Sequence, residues 1–202
     1  MKEVTQLATL EWVTPNAAKM VELAGRTCYK SDCSMDSDPA KFIAGLIKRG
    51  HNSVLEHASA SFRIVCDRGI THELVRHRIA SFSQESTRYC NYAGDRFGGE
   101  ITVIRPEAMK PECFDLWLEA MGHAERIYLA MLELGEKPQN ARSVLPTCLK
   151  TEIVMTCNMR EWRHFLSLRD DKAAHPDMQI LARQMRYILQ AAAPEFFPEK
   201  DM

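Results

Sequence analysis

The sequence predicts an α+β fold in a single domain, residues 1–202, with a mixed or antiparallel sheet and several helices. Three observations carry this. Helical patterns outnumber strand patterns, the two alternate without the regular βαβ rhythm of a doubly wound sheet, and no repeat or Gly/Ser linker marks a boundary. Thr5 to Val13 reads as a strand, and Thr14-Pro15-Asn16 opens a helix through about Ala24 with Pro at its first position. Ser37-Asp38-Pro39 repeats that start signal for a helix over Ala40 to Lys48, closed by Gly50. Ala58 to Asp67 is a strand broken by Gly69. Ile70, Leu74, Val75 and Ile79 then recur at helical spacing, which predicts a helix over Ile70 to Ala80.

Ser81 to Arg88 is polar and irregular, the profile of a functional loop or a helix end. Ile101 to Ile104 is a short strand stopped by Pro106. The longest helical pattern runs from about Glu112 to Leu134 and ends at Gly135. Pro138 to Val144 is a short helix, Leu149 to Cys157 a strand, Met159 to Leu168 a helix, and Pro176 to about Ala192 the last helix.

Composition narrows the function. The 202 residues carry 26 Lys+Arg against 27 Asp+Glu, a net charge of −1, with 46% apolar and 26% charged residues. That is globular composition and excludes a bulk electrostatic binder of nucleic acid or membrane. No apolar run approaches the ~18 residues of a transmembrane helix. The N-terminal Met1 to Gln6 lacks an apolar signal core, so a cytoplasmic location is expected. Seven cysteines without such a core point to reduced thiols rather than a disulfide framework. Between Lys48 and Lys110 there is no lysine, yet the stretch holds Arg49, Arg63, Arg68, Arg76, Arg78, Arg88, Arg96 and Arg105, nearly cancelled by acids. Arginine's planar fork suits phosphates and carboxylates; drift in Lys/Arg usage would leave the same bias.

The densest chemistry lies in Arg76-His77-Arg78 through Arg88-Tyr89. Successive helical residues point about 100° apart, so these three cannot share one helix face and can address two ligands. Ser81, Ser83, Ser86, Thr87 and Arg88 add hydroxyls and a guanidinium. That set suits a phosphate monoester, and equally a solvated helix end. No metal site is expected. His72 and His77 are five apart, which turns their rings roughly 140° apart on a helix, and His51 and His57 have no Cys pairs at zinc spacing. Gly94, Gly98 and Gly99 are too sparse for a phosphate-binding fingerprint. A nucleophile is not evident: Cys90 reads as a small buried hydrophobe on a strand or, beside cations, a thiol of lowered pKa, and Ser86 has no histidine close in sequence to activate it. Asn158 is a candidate helix cap. Arg169, beside Asp170 and Asp171, could form only a surface ion pair. A non-catalytic nucleotide- or RNA-binding module lacks a basic surplus and an aromatic stacking platform here.

Arg76-His77-Arg78, seven residues, then Ser86 and Arg88-Tyr89 resembles the RHR-x7-S signature of the flavin-dependent thymidylate synthases. His51 to His57, Ala141 to Pro146, and Asn158-Met159-Arg160 through Arg169 keep that family's order, so the resemblance covers roughly residues 26 to 185. It implies a homotetramer with active sites between subunits, and reductive methylation of dUMP to dTMP. Methylenetetrahydrofolate would donate the carbon and NADPH would be the reductant by way of FAD. The flavin would supply the reducing equivalent that folate supplies in the classical synthase, and no protein nucleophile would be needed. The resemblance places FAD against Ser53, Arg76, His77, Arg78, Gln84, Asn158, Arg160 and His164. It places dUMP against Glu73, Arg76, the loop Gln84, Glu85, Ser86, Thr87 and Arg88, and against Arg142 and Arg169. Arg169 matches the arginine that stabilises the uracil as it ionises at N3. Two positions depart from the usual pattern: Ser83-Gln84 stands where members often carry Asn-Glu, and Glu73 stands where many have Gln.

Overall fold

The computed structural model describes residues 1–28, 30–31 and 37–198, so Cys33 lies outside the described residues. Its elements follow in order: β1 (Lys2–Val4), β2 (Leu7–Val13), α1 (Ala17–Thr27), α2 (Pro39–Lys48), a 3₁₀ helix (Asn52–His57), β3 (Ser59–Asp67), α3 (Arg68–Leu74), β4 (Ser81–Gln84), β5 (Thr102–Ile104), α4 (Phe114–Glu133), α5 (Pro138–Ala141), β6 (Lys150–Asn158), α6 (Met159–Arg169) and α7 (Pro176–Ala192). The fold is α+β, as expected. β1 pairs parallel with β5, Lys2 opposite Thr102, and a four-stranded antiparallel sheet has the order β2-β3-β6-β4.

Several boundaries have local causes. Asp38 accepts hydrogen bonds from the Ala40 and Lys41 N–H groups at 3.0 and 3.2 Å, and Pro39 follows at the first helical position. Asp67 ends β3 and caps α3 through the Ile70 N–H at 2.6 Å. Asn158 does the same at the β6–α6 junction, accepting from the Glu161 N–H at 2.9 Å, as its sequence position predicts. Gly135 closes α4 with φ 88°, a conformation that favours glycine.

Other expectations are corrected. α1 begins at Ala17, not at Pro15, because Asn16 takes a left-handed conformation (φ 54°) and turns the chain before the helix. The helix expected over Ile70 to Ala80 stops at Leu74. Val75 and Ile79, counted toward its apolar face, are exposed, whereas His77 is buried. Ser81 to Gln84 is a strand and not a loop: it lies at the edge of the sheet beside β6, with Ser81 and Ser83 turned to solvent. The short helix at Pro138 divides into α5 and a 3₁₀ turn over Arg142–Val144.

The residues fall into two compact units. The first comprises Met1–Leu7, Ile64–Arg76 and Ser83–Ile153. Its core gathers Tyr92, Ile101, Val103, Tyr128 and Leu149, with Trp117 packed against them. The second comprises Ala8–Arg63, His77–Phe82 and Val154–Met202. There Trp162 stands edge-on to both Phe62 and Phe165, and its indole N–H donates to the Ala60 carbonyl at 3.0 Å. α7 covers α6 with buried Met178, Leu181, Met185 and Leu189. Fully burying side chains of this size contributes on the order of 2 kcal/mol each.

Candidate active site

The residues singled out in the sequence form two groups, one in each unit. In the second unit the centre is His77. Its ring is buried, edge-on to Phe165 at 5.0 Å and to His164 at 5.9 Å between centroids. Nδ1 lies 3.0 Å from Glu161 Oε1, and Nε2 accepts from Arg169 Nε at 3.1 Å. An arginine N–H can only donate, so Nε2 carries the lone pair, Nδ1 carries the proton, and Glu161 accepts it. Burial pushes the His77 pKa below its ordinary value. The hydrogen bond to Glu161 opposes that shift and the Arg169 charge adds to it, so the ring is neutral near pH 7. Asp170, the alternative partner of Arg169 in sequence, takes Arg183 at 3.0 Å and Arg186 at 2.6 Å.

Arg76, His77 and Arg78 are not on a helix, yet they do diverge: Arg76 and Arg78 are exposed on either side of the buried ring. Arg78 is followed by Ile79, whose side chain is 68% exposed. Ile79 lines a cavity of about 590 Å³ together with Asn52, Glu56, Asn158, Arg160 and His164. A second cavity, of about 440 Å³, is lined by His51, Asn52, Ser53 and Arg160, so both share Asn52 and Arg160. Arg160 is held against Glu56 at 2.6 Å, and Arg163 donates to the Phe196 carbonyl.

In the first unit β4 leads into the loop over Glu85 to Arg88. The Gln84 amide donates to the Thr71 and Thr151 hydroxyls at 3.1 and 3.3 Å, so it fastens the strand end to α3 and β6. Glu85 accepts from the Tyr92 hydroxyl at 2.7 Å and pairs with Lys150 at 3.2 Å, while its N–H donates to the Glu152 carbonyl at 2.8 Å. Both side chains the resemblance assigns to ligands are thus committed to framing the loop. Ser86 Oγ accepts from the Arg88 N–H at 3.3 Å. Thr87 is buried and accepts from Arg142 Nη1 at 3.2 Å. Arg142 and Thr87 line a cavity of about 470 Å³ with Arg68, His72 and Ser143. Arg88 is exposed and lies 5.3 Å over the Tyr89 ring. Glu73 is half-buried near the end of α3, and Arg76 follows it.

Cys90 is half-buried in the turn after Tyr89, not on a strand; burial and the nearby Glu85 push its thiol up, opposite to an activated nucleophile. Cys28, Cys66, Cys90, Cys113, Cys148 and Cys157 are free thiols. Three of the arginines without a sequence role serve the framework. Arg63 pairs with Glu11 at 2.6 Å, Arg68 Nη1 donates to the Glu85 carbonyl at 3.4 Å, and Arg105 lies 5.2 Å over Phe114.

Sequence reasoning missed Glu56, Glu161, Tyr92 and Lys150. Only Glu161 had a local signal, since Asn158-x-x-Glu161 has capping-box spacing. Its carboxylate nevertheless goes to a histidine 84 positions away. His77, Glu161 and His164 also bring donor atoms within 4.8 Å of one another, a grouping the sequence histidines did not suggest. The His77 nitrogen beside Glu161 is Nδ1, which carries the proton that the carboxylate accepts.

The family described as thymidylate synthase complementing protein matches residues 9–195. The flavin-dependent thymidylate synthase of Geobacter sulfurreducens is 36% identical over 193 residues, covering 91% of this chain and 82% of its own length. That of Mycolicibacterium gilvum is 35% identical over 213 residues, covering 94% and 83%, and that of Mycobacterium sp. (strain JLS) is 36% identical over 218 residues, covering 98% and 86%. With nearly its whole length matched, the chain belongs to the thymidylate synthase complementing protein family, which includes these flavin-dependent thymidylate synthases.

Proposed function

We propose that this protein is a flavin-dependent thymidylate synthase that reductively methylates dUMP to dTMP, with methylenetetrahydrofolate as one-carbon donor and NADPH as reductant through FAD. The observation that carries the reading is the contact of His77, the centre of the signature motif, with Arg169, the arginine the resemblance assigns to the uracil. The chain acts as one catalytic domain, assembles as a homotetramer with active sites between subunits, and works in the cytoplasm.

The donor set around the paired cavities fits FAD. Arg160 offers a cation for a diphosphate, Asn158 and Ser53 offer hydrogen-bonding groups, and exposed Ile79 offers an apolar surface to a ring. Two hollows sharing Asn52 and Arg160 suit an elongated dinucleotide better than a compact ligand. Bound FAD supplies the reducing equivalent that turns the transferred carbon into a methyl group. The chain's own residues bind and orient. Ser86, Arg88 and Arg142 hold the dUMP phosphate, Gln84 and Glu85 frame that loop, and Arg76 serves both ligands. Arg169 presents its guanidinium to the pyrimidine, where it stabilises negative charge as N3 ionises. No thiolate is required, in keeping with the raised Cys90 thiol.

Purified protein should be yellow or take up FAD on reconstitution. It should then release tritium from 5-tritiated dUMP only when methylenetetrahydrofolate and NADPH are both present. Protein that binds no flavin, or flavoprotein that releases no tritium, overturns the reading.

A further inference from the structure

We propose that Glu161 is a positioning residue that acts through His77 to fix the aim of Arg169; the functional half of this inference rests on the role given to Arg169 above. The chain of contacts is short. Glu161 Oε1 lies 3.0 Å from His77 Nδ1, and His77 Nε2 lies 3.1 Å from Arg169 Nε. His77 and Glu161 are each only 5% exposed, and Glu161 also lines the cavity beside Asn158 and His164. Arg169 is half-buried at the last turn of α6, and Glu161 belongs to the first turn of the same helix. The His77 ring therefore bridges the two ends of α6.

The orientation of the ring is what carries the effect. A neutral imidazole has one donor and one acceptor nitrogen, and which is which follows from the partner of the other. The donor-only guanidinium leaves the lone pair on Nε2 and the proton on Nδ1, where the Glu161 carboxylate accepts it. Remove the carboxylate, and the tautomer holds, since Arg169 still donates to Nε2, but the ring loses the bond that fixes its turn about the Cβ–Cγ axis. Nε2 then has no set place, and Arg169 loses its aim.

Local structure shows that the carboxylate is committed to this role. An acid three residues after a capping Asn ordinarily turns back to the cap's own N–H. Asn158 does accept from the Glu161 N–H at 2.9 Å, so the backbone half of that motif is formed. The Glu161 side chain goes instead to His77, and the helix cap thereby fixes the backbone from which it reaches.

The test uses the full chain labelled with nitrogen-15 histidine, alone and loaded with FAD. The His77 signals are assigned by their loss in His77→Gln, and long-range proton–nitrogen correlation reports which ring nitrogen is protonated. Wild type and Glu161→Gln, whose amide oxygen still accepts, should show the Nδ1–H form near neutral pH. Glu161→Ala should keep the Nδ1–H form, show that proton's resonance shifted upfield for want of an acceptor, and lose on the order of 100-fold in tritium release, the cost of misplacing a group by about 1 Å. Glu161→Gln should restore the rate to within a few-fold. Should Glu161→Ala fail to fold, Glu161→Asp carries the same expectation, because its carboxylate is one methylene shorter. A wild type with Nε2–H or a doubly protonated ring overturns the proposal, as does an unchanged Nδ1 proton resonance or undiminished tritium release in the Ala and Asp variants. If wild type shows Nδ1–H and Glu161→Ala shifts that proton's resonance, but FAD-loaded wild type releases no tritium, the positional relay stands and the synthase reading falls.

Discussion

His77 and Arg169 are 92 positions apart in sequence, yet Arg169 Nε donates to His77 Nε2 at 3.1 Å. One belongs to the signature motif and the other ends α6, a helix whose cap, core and active-site side chains all come from Asn158 to Arg169. The contact ties the arginine to a neutral, buried ring and so gives its guanidinium a defined place.

Arg169→Ala should keep FAD bound and lose tritium release from 5-tritiated dUMP. Removing a group that stabilises developing negative charge typically costs about 100- to 1000-fold in turnover. Flavin absorbance checks the first half and the tritium assay the second; undiminished release refutes the assigned role.

Arg142→Ala should weaken dUMP more than it slows turnover. Loss of one charge-assisted hydrogen bond is worth about 1.5–3 kcal/mol, roughly a tenfold or larger rise in Kd. The perturbation of the flavin spectrum on titration with dUMP reads this directly. An unaltered Kd would remove Arg142 from the substrate site, leaving its bond to Thr87 as a structural contact.

Cys90→Ala should remain active within a few-fold, because burial and Glu85 hold its thiol protonated. Complete loss of turnover in a folded Cys90→Ala variant would show that the thiol takes part.

The stability of the fold should depend on His77 on the acid side. Its pKa is lowered from 6.5 in the folded state, so between that lowered value and 6.5 the unfolded chain binds more protons than the folded one. Stability is fully present above about 6.5 and falls as the pH drops through the folded pKa, by at most about 1.4 kcal/mol per pH unit. Urea unfolding of wild type and His77→Gln across that range checks it: the wild type should show the steeper loss, and parallel slopes would assign the effect to other groups.

Asn158→Ala should destabilise the protein by about 1 kcal/mol, since the Glu161 N–H loses its cap. A urea midpoint shifted at constant slope would report that loss; no shift would mean that the first turn of α6 is held by its packing alone.

Much of the fold was legible because its causes are local. Asp38-Pro39, Asp67, Asn158, Gly135 and Pro176 sit where the elements begin or end, and each acts within one turn of backbone. Asn16 and the end of α3 were misread for the same kind of reason. A left-handed Asn looks like any other turn residue in sequence, and Val75 and Ile79 keep a helical spacing that the folded chain does not use. Ser81 to Gln84 reads as a loop because its side chains are polar, yet its backbone groups belong to a sheet edge that only β6 can supply. Gln84 and Glu85 could be marked as functional from the motif. That their side chains are spent on Thr71, Thr151, Tyr92 and Lys150 could not.

By itself the sequence determined the α+β class, most helix starts, the signature motif with the family it marks, and the absence of a helix long and apolar enough to cross a membrane, which holds among the described residues. Tertiary structure decided that His77 is buried and neutral, that Glu161 faces it, that Arg169 leans on it, and that Glu85 braces its own loop. Capping and periodicity act over three or four residues and are written in the chain. Burial and hydrogen bonds between positions 84 and 92 residues apart exist only once strands and helices have packed, and these set the tautomer of a ring and the aim of an arginine.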